Sequence, residues 1–182
     1  MWLINDEHGL TDPTLVGHKL PGRVLLARDG FPVPPLVCVP ATVFDRVVRD
    51  TAIATAPTDI RSDADLMAAA EQARKQVRGV AVPAQLHRVL DDSFDEIAGE
   101  AGCVAVRACV VPSVGSGTPG ENSAEDPFAG LSDGLLCVGR PQLALRLVDC
   151  WARPSTPRLC STARGGGWIR SPHGSRWASS GW

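Results

Sequence analysis

The spacing of apolar side chains predicts alternating helices and strands over most of the 182-residue chain. In several segments apolar residues recur every three or four positions, as on the buried face of a helix, and three short segments are almost continuously apolar, as in a buried strand. The predicted helices cover 17–30, 41–52, 63–79, 83–100 and 140–152. The predicted strands cover 36–40, 103–111 and 134–139. Helices and strands in this order indicate an α/β or α+β domain.

The first predicted helix follows a turn at Gly17 and ends at Gly30. Pro21 falls in its first turn, where the missing proline N–H costs no hydrogen bond. Leu25 and Leu26 are predicted to form its apolar face.

The helix and strand pattern ends near residue 153. The last segment, 164–182, is rich in Gly, Ser and Arg, has no helical or strand period, and places three of the five tryptophans among its final 15 residues. This composition predicts an irregular, disordered tail. We therefore divide the chain into an N-terminal extension (1–13), a folded domain (14–163) and a tail (164–182).

The charge distribution argues against a nucleic-acid or membrane partner. The formal net charge is −2, and residues 1–163 carry 15 basic against 20 acidic side chains. An acidic domain gains nothing from the phosphate backbone of a nucleic acid. No segment has the roughly 18 consecutive apolar residues of a membrane span, and the acidic N-terminus is unlike a secretory signal. These features predict a cytoplasmic protein.

The cysteines and histidines predict no metal site and no catalytic residue. The six cysteines contain no C-x-x-C pair, so zinc and a thiol redox motif both lack their usual spacing, and five lie in apolar segments where a buried role is expected. The four histidines show neither an i, i+4 pair nor a nucleophile motif, which argues against a hydrolase or metalloprotease.

Two cations stand out as candidate ligands for an anion. Arg107 interrupts the apolar strand 103–111, and its planar donor fork suits phosphate oxygens. An arginine on a solvated strand face would give the same sequence pattern. Lys19, one of two lysines, lies at the start of a helix, where backbone N–H groups favour anions; a solvated surface lysine is the alternative.

The glycine-rich segment 114–133 separates two predicted strands and carries acids but no Lys or Arg. It matches neither a P-loop nor a dinucleotide fingerprint. It is either an ordinary connection or a mobile lid whose backbone N–H groups meet a ligand. Its four acids are expected to be solvated rather than to hold a metal.

Five segments follow one another along the chain: VGHK, DGFPVPPLVCVPATVFD, VAVRACVV, GENSAEDPFAGLSDGLLCVG and DCWA. In this order they resemble the N-terminal nucleotide-binding domain of the phosphoenolpyruvate synthase, pyruvate phosphate dikinase and rifampicin phosphotransferase family, over roughly residues 14–165. The resemblance implies the N-terminal lobe of an ATP-grasp fold, a mixed sheet with flanking helices. It implies ATP as the nucleotide, with Mg²⁺. The residues that it places at the ATP are Lys19, Arg107, Phe128, Ala129 and Gly130.

The resemblance also implies a kinase that phosphorylates a histidine on a separate domain. The second ATP-grasp lobe, which would hold most Mg²⁺ ligands, and the histidine domain would have to come from a separate chain. Phosphoryl transfer depends on positioning and charge neutralisation, so we expect this chain to be inactive alone. Its departures from the family motifs are His18, Ala108, Cys109 and Leu131, which replace a glycine, two serines and a glutamine.

Two other functions stay open at this point. The chain could be a non-catalytic module that binds a nucleotide or a homologous full-length enzyme, or a truncated or frameshifted remnant. The residues that depart from the family motifs favour these two alternatives. Lys19, Arg107 and the Phe128–Gly130 segment favour the phosphotransferase lobe.

Overall fold

The computed structural model describes residues 1–17, 19–49, 62–112, 134–152 and 175–181. The helices in these ranges are α1 (Glu7–Thr11), α2 (Pro13–Val16), α3 (Lys19–Arg28), α4 (Ala41–Arg49), α5 (Asp63–Arg78), α6 (Ala84–Ala98) and α7 (Leu143–Ala152). The strands are β1 (Cys38–Val39), β2 (Val104–Pro112), β3 (Leu135–Val138) and β4 (Ser175–Gly181). Short 3₁₀ turns at Gly99–Ala101 and Arg140–Gln142 precede β2 and α7.

Helices α3 to α7 and strands β1 to β3 lie where the sequence predicts them, and the α+β fold is confirmed. Local signals explain the agreement. At the start of α5 the Ser62 hydroxyl accepts a hydrogen bond from the Asp65 N–H, while the Asp65 carboxylate accepts one from the Ser62 N–H. This reciprocal cap satisfies two N–H groups that a helix start leaves without partners.

The described strands form one four-stranded sheet in the order β1-β4-β2-β3. The resemblance implied a mixed sheet, whereas every pairing among these strands is antiparallel. Strands β1 and β2 do run in the same direction, but β4 lies between them. Residues 175–181, which form β4, belong to the segment predicted to be irregular; they pair with β2 through backbone groups, which need no side-chain pattern.

The sheet separates two apolar clusters. The larger cluster packs residues of α4 to α7 against one face, with Leu86, Phe94 and Trp151 among its buried side chains. The smaller cluster lies under α1 to α3 and contains Ile4, Leu10, Val16, Leu20, Cys38, Ala41 and Cys109. The N-terminal extension therefore takes part in the fold, and the backbone groups of Ile4 and Cys38 exchange two hydrogen bonds of 2.8 Å.

Helix α3 does not bury the face that its leucine pair predicts. Leu25 and Leu26 are 52% and 47% exposed, whereas Leu20 is fully buried and Val24 packs beside it in the smaller cluster. Leu20 and Val24 are four residues apart and so share one helix face. The prediction for Leu25 and Leu26 is wrong because two adjacent leucines do not define which face of a helix docks.

Candidate functional site

Lys19 is the first residue of α3, at the helix end where backbone N–H groups have no partner within the helix. The chain reaches it through Gly17, whose φ is +77° and whose N–H donates to the carbonyl of Pro13. Only glycine adopts this left-handed conformation without a steric cost. His18, the bulky departure from the family motif, lies outside the described residues. The turn at Gly17 thus sets Lys19 at the start of α3.

The substitution Gly17→Ala should destabilise the domain by about 1–2 kcal/mol, because a Cβ clashes with the carbonyl oxygen in a left-handed residue. Gly22→Ala is the matched control: Gly22 lies inside α3, and no atom lies within 4 Å of an added Cβ. There alanine should stabilise the helix by about 0.5–1 kcal/mol. Thermal unfolding followed by circular dichroism should therefore shift in opposite directions, and shifts of the same sign would contradict the role of the turn.

Arg107 lies at the centre of β2, and the alternation of that strand decides which face it occupies. Val104, Val106 and Ala108 are buried in the larger cluster, whereas Cys109 is buried in the smaller one. Because successive strand residues point to opposite faces, Arg107 shares the Cys109 face, which α1 to α3 cover. The charge that interrupts the apolar strand is therefore half-buried beside the N-terminal helices.

Arg23 is a candidate site residue that the sequence analysis missed. It lies one helical turn after Lys19 on the same side of α3, and its Nε is buried. Burial, and then the positive charge of Arg107, lower the pKa of the Arg23 guanidinium. The charge of Arg107 therefore acts on Arg23, although less strongly than burial does. The Lys19–Arg23 spacing was the available signal, but its interpretation depends on α3 packing against α1 and α2, beside β2.

Gly134, the first described residue after segment 113–133, lies directly beside Arg107. A Cβ added to Gly134, just before β3, would lie 3.2 Å from both Cγ and Nε of Arg107. The missing Cβ at Gly134 thus lets its own backbone lie against the Arg107 side chain. Phe128, Ala129 and Gly130, which the resemblance places over the ATP, lie outside the described residues.

The structure changes the interpretation of two departures from the family motif, Ala108 and Cys109. Ala108 points into the larger cluster, on the sheet face opposite Arg107, and Cys109 is buried in the smaller cluster. Neither side chain is exposed to an anion approaching Arg107, since both are 2% exposed. Replacing serines here therefore removes fewer phosphate contacts than the sequence suggests.

A separate cavity of 230 Å³ lies between α6 and the turn before α7 and is lined by His87, Asp91, Arg140 and apolar side chains. Arg140 is already engaged there. It donates to the Asp91 carbonyl and the Asp95 carboxylate, and its guanidinium lies 4.8 Å from the centre of the Phe94 ring. This arrangement ties the start of α7 to α6 and accounts for the arginine without a ligand.

Neither a metal centre nor a membrane-spanning helix is found in the parts of the chain that the structure describes. No three His, Cys, Asp or Glu side chains there are gathered as a metal ion would require. No described helix combines the length and apolar character needed to cross a bilayer.

The α+β fold places Lys19 at the start of α3 and Arg23 one turn further on, an arrangement that suits an anion such as phosphate. Residues 14–161 match the family described as pyruvate phosphate dikinase, AMP/ATP-binding domain. The match covers most of the chain, and the chain belongs to this family. No curated protein matches it. The resemblance seen in the sequence is thereby confirmed, and the chain carries an ATP-binding domain of the pyruvate phosphate dikinase family.

Proposed function

We propose that Lys19, Arg23 and Arg107 bind the phosphates of ATP. The main observation is the position of Arg23: it lies four residues after Lys19 on α3, its Nε is buried, and burial, and then the charge of Arg107, lower its pKa. Like charges repel, and an anion bound between these side chains would reduce their repulsion. Lys19 lies one turn away at the start of α3, where the backbone N–H groups also attract anions.

The chemistry of these groups suits a polyphosphate better than a carboxylate metabolite. Each arginine presents a planar fork that can hold two phosphate oxygens, and the lysine adds a point charge. Phe128, Ala129 and Gly130 are proposed to cover the nucleotide with backbone N–H groups. In support, Gly134, which follows this segment in the sequence, lies beside Arg107.

Mg²⁺ is proposed to arrive with the ATP. The described residues offer no acidic cluster of their own, so the ion would be held by phosphate oxygens and by a second lobe. When bound, it would neutralise phosphate charge. The residues of this chain would orient the phosphates and exclude water from them.

We further propose that the chain is the ATP-binding lobe of a cytoplasmic phosphotransferase whose acceptor is a histidine on a separate domain. The three cations bind one side of the phosphates, and a transfer reaction needs charge neutralisation from both. The chain alone should therefore bind ATP without turning it over. A nucleotide-binding module without catalysis is the second candidate, favoured by His18 beside Lys19.

Calorimetric titration of the reduced full chain with Mg·ATP, inorganic tripolyphosphate and adenosine tests the binding proposal. ATP and tripolyphosphate should bind and compete, and both affinities should fall as salt is added, because the contacts are ionic. Adenosine should bind far more weakly. Absence of ATP binding at millimolar concentration, or adenosine binding as tightly as ATP, would overturn the phosphate assignment.

Incubation with ATP labelled at both the β- and γ-phosphates then separates the two candidates. Label should appear on a histidine only when a chain of the family that supplies both the second lobe and the acceptor-histidine domain is added. Transfer to the chain itself would contradict inactivity alone, and binding without transfer to such a domain would favour the non-catalytic module.

A further inference from the structure

Cys103 and Cys137 lie side by side on neighbouring strands although they are 34 residues apart in sequence. Their Sγ atoms are 2.6 Å apart, close to the roughly 2.05 Å of a disulfide bond. Cys103 directly precedes β2 and Cys137 belongs to β3. Their separation in sequence explains why a search for C-x-x-C spacing finds no redox motif.

The backbone of β3 is bent so that the two sulfurs meet. Val104 pairs with Val138 and Val106 pairs with Leu135, which leaves two residues of β3 opposite Ala105 alone. This is a β-bulge, a feature that redirects a side chain. Within it Cys137 has a φ of +52°, a left-handed conformation that is unfavourable for any residue with a Cβ. A cysteine stands where the backbone favours glycine.

Exposure also distinguishes this pair from the other described cysteines. Cys38, Cys109 and Cys150 are buried as the sequence predicts, whereas Cys137 is exposed and Cys103 is half-exposed. Burial, and secondarily the neighbouring Cys109, raise the pKa of the Cys38 thiol well above its usual value. A buried protonated thiol is inert, so reactivity toward a soluble oxidant belongs to the exposed pair.

We propose that Cys103 and Cys137 form a reversible redox-modification site that takes a peroxide as its oxidant. The Cys137 thiolate displaces hydroxide from hydrogen peroxide and becomes a sulfenic acid. The Cys103 thiol then attacks that sulfur, and water leaves as the disulfide forms. Together two thiols and one peroxide give one disulfide and two waters, and a dithiol reductant returns both thiols.

The disulfide would close a covalent ring of residues 103–137. That ring contains Arg107, Gly134 and the whole of segment 113–133, so it would join the two strands that border the segment at their far end. Closing a ring of this length restricts the unfolded chain and raises stability. The proposal rests on the cysteines alone and stands whether or not Arg107 contacts ATP.

Peroxide treatment of the full chain, followed by mass spectrometry, tests the proposal. The mass should fall by two hydrogens, and a non-reducing digest should give a peptide containing Cys103 linked to one containing Cys137. Cleavage after both Arg and Glu is needed, because cleavage after Arg alone leaves Cys109 on the peptide of Cys137. The hydrogen bond between Cys103 and Cys137, then burial, raise the pKa of the Cys103 thiol, so the linkage should form faster as pH rises from about 7 to 9.

Thermal unfolding provides the second measurement. The oxidised chain should melt about 5–15 °C above the reduced chain, and dithiothreitol should reverse the shift. Cys137→Ser and Cys103→Ser should each abolish the linkage and the shift, while Cys160→Ser should keep both. A linkage between any other cysteines, a disulfide between two chains, or unreacted Cys103 and Cys137 would overturn the proposal.

Discussion

Replacing Trp151 by alanine should lower the free energy of unfolding by about 3–5 kcal/mol. Trp151 is 1% exposed in α7, and its ring meets the Phe44 ring of α4 edge to face with centroids 5.6 Å apart. Removing it would open a cavity between two helices that close the larger cluster. Since small domains are stable by only about 5–15 kcal/mol, this single change would remove much of the total.

Trp151→Phe is the matched control, and its expected result comes from the indole nitrogen. The Nε1 is buried and has no hydrogen-bond partner among the described residues. Phenylalanine keeps an aromatic ring against Phe44 and removes a buried donor that costs about 1–3 kcal/mol when unsatisfied. The loss of apolar volume and the removal of that donor should nearly cancel.

Urea unfolding followed by far-ultraviolet circular dichroism measures both variants without relying on tryptophan emission. We expect a loss of less than about 1.5 kcal/mol for phenylalanine. Equal losses for alanine and phenylalanine would show that the ring does not fill the core as described, and a loss below about 1 kcal/mol for alanine would show the same.

The sequence alone predicts the elements and site residues that depend on neighbouring positions in the chain. Helices α5 and α6 follow from a reciprocal cap and a proline start, and β2 follows from its apolar run. Lys19 and Arg107 stand out because each is unusual within its own segment. Their family motifs are also local, so the resemblance could be found without any knowledge of how the segments pack.

Features that depend on packing between distant segments could not be predicted in this way. Arg23 becomes a candidate only in the folded protein, where α3 packs against α1 and α2 and the charge of Arg107 acts on Arg23. The Cys103–Cys137 contact requires a bulge in β3, and no periodicity marks a bulge. The place of β4 in the sheet is fixed by backbone hydrogen bonds, which Ser, Ala and Gly residues make as well as any others.

Removing the charge of Arg107 should weaken Mg·ATP binding about 10- to 100-fold, the usual loss for a hydrogen bond to a charged group. Arg107→Met keeps the aliphatic stem that packs beside Gly134 while removing the guanidinium. Arg88→Met is the matched control, since Arg88 is an exposed arginine on α6, outside the layer of α1 to α3, and its loss changes the net charge equally. It should leave the affinity within about twofold.

The same substitution should remove the share of the Arg23 pKa shift that the charge of Arg107 causes, whereas the larger share, from burial, remains. A folded-state pKa below the unfolded one means that charged Arg23 is less favourable in the folded protein. That cost applies at every pH below the folded-state pKa and disappears only as pH rises above it, beyond the range in which proteins are handled. Substitution, rather than pH, is therefore the way to measure it.

A double-mutant cycle of Arg23→Met and Arg107→Met makes the two roles separable. Without nucleotide, either single change removes the Arg23–Arg107 repulsion, so the double variant should be less stable than the sum of the two single changes predicts. With Mg·ATP, the double variant should bind more weakly than both, because two phosphate contacts are lost. Substitution of an arginine that binds phosphate lowers the affinity for ATP, whereas substitution of a structural arginine lowers the stability of the protein. Unchanged ATP affinity in Arg107→Met would remove Arg107 from the site.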